Sequence, residues 1–572
     1  MMSMSSFKGY GQVDAAEQAK IEARQKTRKI VIVIGASSVL LICFVVAVVL
    51  GSYQRYGGNS PSGGASPFSS TLQAICDITL YPKTCYSSLA PLLNSSQVNP
   101  ELVFNLATLV AKTELQKAAQ YVSDHGFSNG SSDNRTAAAV EDCRQLLSLA
   151  LDDLNSTLSS SSLALLQVAD DLKTWLSSTG TYLETCRDGF ENANATVKTR
   201  VDNWLKNATE LASNSLAILS WITNVEGSVK LRRLMSLSES QGLPKWLNSR
   251  DRLLLQTPDL KKQANIVVAK DGSGKYKTLS AALNEVPDKS DKRFIIYVKK
   301  GLYYENIQIS KSKWNILLVG DGMGATILSG KLNFVDGTPT FSTATIAVFG
   351  KGFVAMDMQF RNSAGAIKHQ AVALLSASDN SIFYRCFFNA FQDTLYAHSN
   401  RQFYRECNIT GTVDFIFGNS AVVFQNCNIL PRVPLPGQQN TITAQGKIDP
   451  NQNTGISIHN CTILPLGDLS SVQTYLGRPW KNFSTTAFLG NLMGSFINPG
   501  GWLPWVGTTA PNTIFYTEFQ NYGPGSSTIY RVKWKGVKTI TSRQASKFTV
   551  GSFIQGDDWI SAAGVPYRSG LV

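Results

Sequence analysis

Two periodicities divide this chain. Between residues 72 and 225 apolar side chains recur every three or four positions, as in LVFNLATLVAKTELQKAAQYV, AAAVEDCRQLLSLALDDL and VDNWLKNATELASNSLAIL. That spacing lays one apolar stripe along a helix, and four or more such helices predict an antiparallel bundle. From residue 264 onward the runs become short and strand-like: NIVVA, RFIIYVKKG, WNILLVG, TATIAVFG and FVAMDMQF. Four further runs each carry a cysteine: SIFYRCFF, RQFYRECNI, AVVFQNCNIL and GISIHNCTIL, with Cys386, Cys407, Cys427 and Cys461. The first three are spaced 21 and 20 residues apart and the last 34, with residues 431–450 reading as an inserted loop. A strand repeated every twenty-odd residues predicts a β-solenoid, whose coils bury their faces only by stacking.

The repeat turns spacing into geometry. Asp393 and Asp414 each follow a repeat cysteine by seven residues, so they should stack one coil apart, about 4.8 Å along the ladder. Two carboxylates that close should not ionise alike: one is expected to be raised, the other to stay low. An Asp in a solenoid also serves to cap a turn. Here, however, Gln392 adjoins Asp393 and Gln370 lies about one coil earlier, and amide N–H groups beside a carboxylate pair can hold an oxyanion. The four histidines form no metal-like or triad-like set, GxSxG and HExxH are absent, and Gly320–Gly324 reads as a tight turn rather than a phosphate loop. No cofactor and no metal is expected.

The N-terminal region changes the picture of where the protein resides. Residues 30–50 (IVIVIGASSVLLICFVVAVVL, including Cys43) hold no charge and are long enough to span a bilayer. Lys20, Arg24, Lys26, Arg28 and Lys29 precede them, which predicts a cytosolic tail (1–29), a signal anchor (30–50) and a luminal remainder. A Gly/Ser/Pro-rich linker (51–70) follows. Nine Asn-x-Ser/Thr triplets agree with luminal exposure: Asn94, Asn129, Asn134, Asn155, Asn194, Asn207 and Asn482, with Asn408 and Asn460 placed in predicted strands. The bundle (71–226) holds Cys76, Cys85, Cys143 and Cys186, for which the near–near pairing is simplest among three connectivities. A linker (227–262) with basic spots at 232–235 and 250–254 invites proteolysis and leads to the solenoid (263–572). The net charge is +13. From residue 264 onward there are 28 Lys and Arg against 17 Asp and Glu, which suits an anionic partner. No nucleic-acid-binding pattern is present, and an acidic polysaccharide fits.

The segments GLYYE (301–305), QAVAL (370–374), QDTL (392–395), GTVDFIFG (411–418) and LGRPW (476–480), in this order, resemble the plant pectin methylesterases. The bundle resembles the inhibitor domain that precedes the enzyme in the longer members. The resemblance implies a right-handed parallel β-helix (solenoid) behind a four-helix bundle, acting on the methyl esters of pectin. It makes Asp414 the nucleophile, Asp393 the acid/base, Gln392 and Gln370 the oxyanion holders, and Arg478 the partner that orients Asp414. It places Thr340 and Trp480 at the substrate. Tyr396 and Trp502 are candidate sugar-stacking aromatics or core residues. It also implies a Cys407–Cys427 disulfide, with Cys386 and Cys461 free. The expected partners are pectin, a processing protease and free inhibitor proteins. The mature enzyme would be a monomer in the cell wall, starting near 256–265 once an autoinhibitory bundle is removed. The rival readings are a solenoid glycosidase or lyase on polygalacturonate, and an inactive polysaccharide-binding protein.

Overall fold

The computed structural model describes residues 67–93, 99–125, 134–161, 165–234 and 260–572. The segment 30–50, the sequons Asn94 and Asn129, and the basic spot at 250–254 lie outside the described residues. Among the described residues no helix is long and apolar enough to cross a membrane.

The first region is helical: α1 (Pro67–Asp77), α2 (Pro82–Leu89), α3 (Pro100–His125), α4 (Asn134–Ser160), α5 (Ala169–Asp188) and α6 (Ala195–Leu234). The predicted stripe is the buried one. In α3 it runs Val103, Phe104, Ala107, Ala111, Leu115, Ala118, Val122, and in α4 Ala139, Val140, Cys143, Leu146, Leu147, Ala150, Leu154. The near–near disulfides are formed, Cys76–Cys85 tying α1 to α2 and Cys143–Cys186 tying α4 to α5. One boundary differs from the expected linker at 227–262. GSVKLRRL continues α6 through Leu234, since Lys, Leu and Arg are strong helix formers. Arg232 and Arg233 therefore lie on the last helical turn.

The second region is a parallel β-helix: every strand pairing is parallel. A large sheet bends round a corner, because Ser381–Asn389 pairs with Arg401–Arg405 on one side of the bend and Asn408–Gly411 on the other. The corner is turned by left-handed residues in equivalent places: Arg385 (φ 49°), Glu406 (φ 53°), Asn426 (φ 55°) and Asn460 (φ 53°), each immediately before a repeat cysteine. The amide of Asn460 donates to Asn426 Oδ1 at 2.9 Å, so its side chain is engaged in the stack.

The cysteines stack inside, but the expected Cys407–Cys427 disulfide is not formed: Cys386, Cys407, Cys427 and Cys461 are buried free thiols. Each is one rung of a four-high column. Cys407 Sγ donates to Phe383 O (3.3 Å) and Cys427 Sγ to Tyr404 O (3.5 Å), so the thiols are satisfied by the backbone of the preceding coil.

A second, seven-stranded sheet runs just after Asp393 and Asp414 in their coils. It runs in spatial order Thr474–Gly477, Asn440–Gln445, Ile416–Gly418, Leu395–Ala397, Leu374–Ser376, Ile346–Val348, Ile307–Ile309. Asn440–Gln445 falls inside the stretch expected to be an inserted loop; NTITAQ alternates as a strand should, and pairs Ile416 with Thr443. Inward residues such as Leu395 and Ile416 fill the solenoid core. The outward row Ala347, Leu375, Tyr396, Phe417, Ala444 is in register across the ladder and packs in one apolar cluster with the helical bundle.

Candidate active site

Leu395 pairs with Ile416, so Asp393 and Asp414, two residues before each, hold the same place in consecutive coils. The Asp393 N–H donates to Val413 O at 3.1 Å. Both aspartates have left-handed backbones, φ 61° and 51°, a conformation that non-glycine residues adopt at a cost of order 1 kcal/mol and that clusters at functional sites. Both are buried. Burial and then the neighbouring Asp414 charge push the Asp393 carboxyl well above the usual carboxylate range, against a smaller opposing pull from Arg478. A carboxyl so raised favours its protonated form.

Asp414 is gripped from two sides. Arg478 presents its planar fork, Nε to Oδ1 at 2.8 Å and Nη2 to Oδ2 at 2.7 Å, a bidentate pair that fixes orientation as well as charge. The Thr441 hydroxyl donates to Asp414 Oδ1 at 2.6 Å and accepts from its N–H at 2.8 Å. Thr441 was missed in the sequence because it sits in the strand read as a loop. Arg478 directly follows Gly477, and its N–H donates to Thr443 O, so the ladder itself delivers the guanidinium to the dyad.

A cavity of about 260 Å³ contains the dyad together with Gln370, Gln392, Thr340, Tyr396, Arg478 and Trp480. The expected site residues are thus brought together, with one exception. Trp502 is 1% exposed and packs in the core against Tyr516 (4.3 Å) and Phe488 (5.7 Å). Trp505 takes the cleft position instead, lining the cavity with its ring 4.3 Å from the Arg478 guanidinium. The signal was the second tryptophan of GWLPW, three residues on. Tyr396 stacks on Phe417 with centroids 4.1 Å apart, so it is both wall and packing residue.

The bundle contributes to the lining as well, with Arg135, Asp142, Thr185 and Asp188 among others. Arg135 lies over the Phe334 ring and donates to Phe334 O, and the Ser342 hydroxyl donates to Asp142. Along α5, Ser178 donates to Asn400, Thr185 meets His398 Nε2 at 2.9 Å, Thr181 accepts from Asn419, and Ser177 O accepts from Gln452. The bundle roofs the dyad.

The fold and site define a class: a hydrolase on a parallel β-helix, with a carboxylate pair split by environment and amides beside it. A family model described as pectinesterase matches residues 265–557, and one described as plant invertase/pectin methylesterase inhibitor matches residues 70–218. The chain belongs to the pectinesterase family of enzymes, with an inhibitor-type domain ahead of the enzyme domain. An Arabidopsis thaliana protein named probable pectinesterase/pectinesterase inhibitor 46 is 54% identical over 98% of this chain and 99% of its own. Pectinesterase 3 of Phaseolus vulgaris is 47% identical over 100% of both. Among solved structures, pectin methylesterase from carrot is 52% identical, with a TM-score of 0.53 over 54% of this chain and 98% of that one.

Proposed function

We propose that the protein hydrolyses the methyl esters of pectin, with Asp414 as nucleophile and Asp393 as acid and then base. The observation that carries this is the split environment of the dyad: one carboxylate bound by a guanidinium fork, the other pushed toward its protonated form. Asp414 attacks the ester carbonyl carbon, and the amides of Gln392 and Gln370 receive the developing oxyanion. Asp393 gives its proton to the departing methoxide, leaving an acyl–Asp414 anhydride and methanol. Asp393, now a carboxylate, takes a proton from water, whose oxygen attacks the acyl carbon and returns Asp414 and a galacturonate acid. A glycosidase has no use for paired amides at this position, and a lyase needs a basic proton abstractor. The test is the product: methanol from esterified pectin supports the reading, whereas new reducing ends or unsaturated sugars would replace it.

The reading extends to regulation and place. The bundle, Pro67–Leu234, acts as a tethered inhibitor that a protease removes by cutting between it and residue 265. Support comes from its seat on the dyad and the basic residues near its end. Disulfides in the bundle and exposed sequons at Asn134, Asn155, Asn194, Asn207 and Asn482 suit an oxidising, secretory route, ending in the plant cell wall.

Docking should depend on pH. Asp142 lies on the bundle face pressed to the β-helix, and burial is the first cause that pushes it up to about 6, with the Ser342 hydroxyl pulling the other way and Glu141 raising it further. Undocked, it returns toward the ordinary value near ~3.9. The docked form then holds the extra proton, so its advantage is full below about pH 4 and is lost as pH rises through about 6. Retention of the cut bundle should fall about tenfold from pH 5 to 7, measured by co-elution. Retention independent of pH would show that this carboxyl is equally buried without the β-helix.

A further inference from the structure

Lys481 stands next to Trp480, one wall of the catalytic cavity. Its ammonium donates to Asp188 Oδ1 at 2.6 Å and to Glu184 Oε1 at 2.8 Å, both on the bundle. Among the described residues these are its ion pairs, and neither belongs to the β-helix. Asp188 lines the same cavity as Asp393 and Asp414, while Lys481 and Glu184 line the adjoining groove, and Trp480 is the wall that the two spaces share. Burial opposes that charge, and the two carboxylates overcome it.

Two other cations on the covered face set the contrast. Arg401 meets Asp171 of the bundle at 2.8 Å, but it also holds Asp379 of its own domain at 3.0 and 2.6 Å. It needs no partner from outside. Lys311 pairs with Asp152 at an exposed rim and lines no part of the dyad cavity. Lys481 alone of the three adjoins a wall of the dyad cavity, through Trp480, and draws its counter-ions from the bundle. Among the described residues the β-helix offers its ammonium no ion pair once the bundle leaves.

We propose that Lys481 is a specificity residue that binds the carboxylate of an already de-esterified galacturonate beside the reacting methyl ester, a place Glu184 and Asp188 fill when the bundle is docked. The proposal rests on the esterase reading above. Its chemistry is economical: the group recognised is the one the reaction makes, so each turnover leaves a better neighbour for the next. Trp480 supplies an apolar ring for the sugar, with the Lys481 ammonium 5.3 Å from its centroid.

The test uses the full chain with a site-specific protease sequence inserted within residues 240–249, cut after folding, with the bundle removed above neutral pH. The carrot enzyme, nearly all of which matches about half of this chain, shows that the enzyme region stands folded by itself. Methanol release is compared on fully methyl-esterified and partly de-esterified homogalacturonan of equal length. The wild type should favour the partly de-esterified chain through KM. Lys481→Ala should reduce the ratio of the two kcat/KM values by about tenfold, and Lys481→Arg should keep most of it. An unchanged ratio in Lys481→Ala, with a wild type active on both, would overturn this proposal alone and leave Lys481 as a docking contact. No methanol from either substrate with the wild type would overturn the esterase reading, and this proposal with it.

Discussion

Asp414→Asn is expected to lower methanol release by about three orders of magnitude or more while leaving the thermal transition of the β-helix in place. A neutral amide cannot form the acyl intermediate, and removing a nucleophile that acts in concert with its partners costs on this scale or beyond. The shape is kept: Asn fills the same volume, and one oxygen can still accept from Thr441 and Arg478, which now hold it at 2.6 and 2.8 Å. Some loss of stability should follow, because the Arg478 charge is left without its anion. The measurement is a single-turnover assay on the bundle-free protein beside a melting curve. Retention of more than a few per cent of the rate would remove Asp414 from the nucleophile's role and point to water attack directed by Asp393.

Alanine in place of Arg232, Arg233, Arg250 and Arg252 should leave the bundle attached and methanol release at least tenfold below that of the processed enzyme. The reason is effective concentration. A short tether holds an inhibitor at roughly millimolar, and this one already makes buried contacts along α5 and two ion pairs to Lys481. Cutting the tether turns the contact bimolecular, and the bundle is lost by dilution. N-terminal sequencing of the active protein reads the outcome directly. A start near residues 256–265 supports processing, while an active protein with the bundle still attached would recast the bundle as an aid to folding or transport.

Much of this was legible in the chain because repeats and helices announce themselves locally. The cysteine spacing gave the coil length, and the coil length put Asp393 over Asp414. The three- and four-residue spacing gave α3, α4 and α6, and short loops made the near–near disulfides the economical choice. What stayed hidden depends on neighbours far along the chain. Thr174, Ser177, Ser178, Thr181 and Thr185 follow helical spacing on α5 and make a polar row of the kind that faces solvent on an isolated helix, yet all are buried. Their partners, His398, Asn400, Asn419, Gln452 and Asn453, lie more than 200 residues away. Trp502 and Trp505 flank one turn, and only the coils above and below decide which is core and which is cleft. Thr441 was lost because the prolines and glycine around 431–437 outweighed the short alternation of NTITAQ. The column of thiols differs from the disulfide implied by resemblance for a similar reason: stacking distance makes a bond feasible without making it the state adopted.

The shared register of Asp393 and Asp414 also bears on which length changes the family's fold can accept. The two carboxylates meet because 21 residues separate them, the same interval that separates Leu395 from Ile416 in the ladder. A one-residue insertion between them would turn every following side chain of that coil to the opposite face and part the dyad. The stretch after Pro431, by contrast, makes the next interval in this sheet six residues longer than its predecessor and still returns Thr443 opposite Ile416. Between Asp393 and Asp414 the chain must keep count, whereas the turn after Pro431 absorbs extra length without disturbing the ladder.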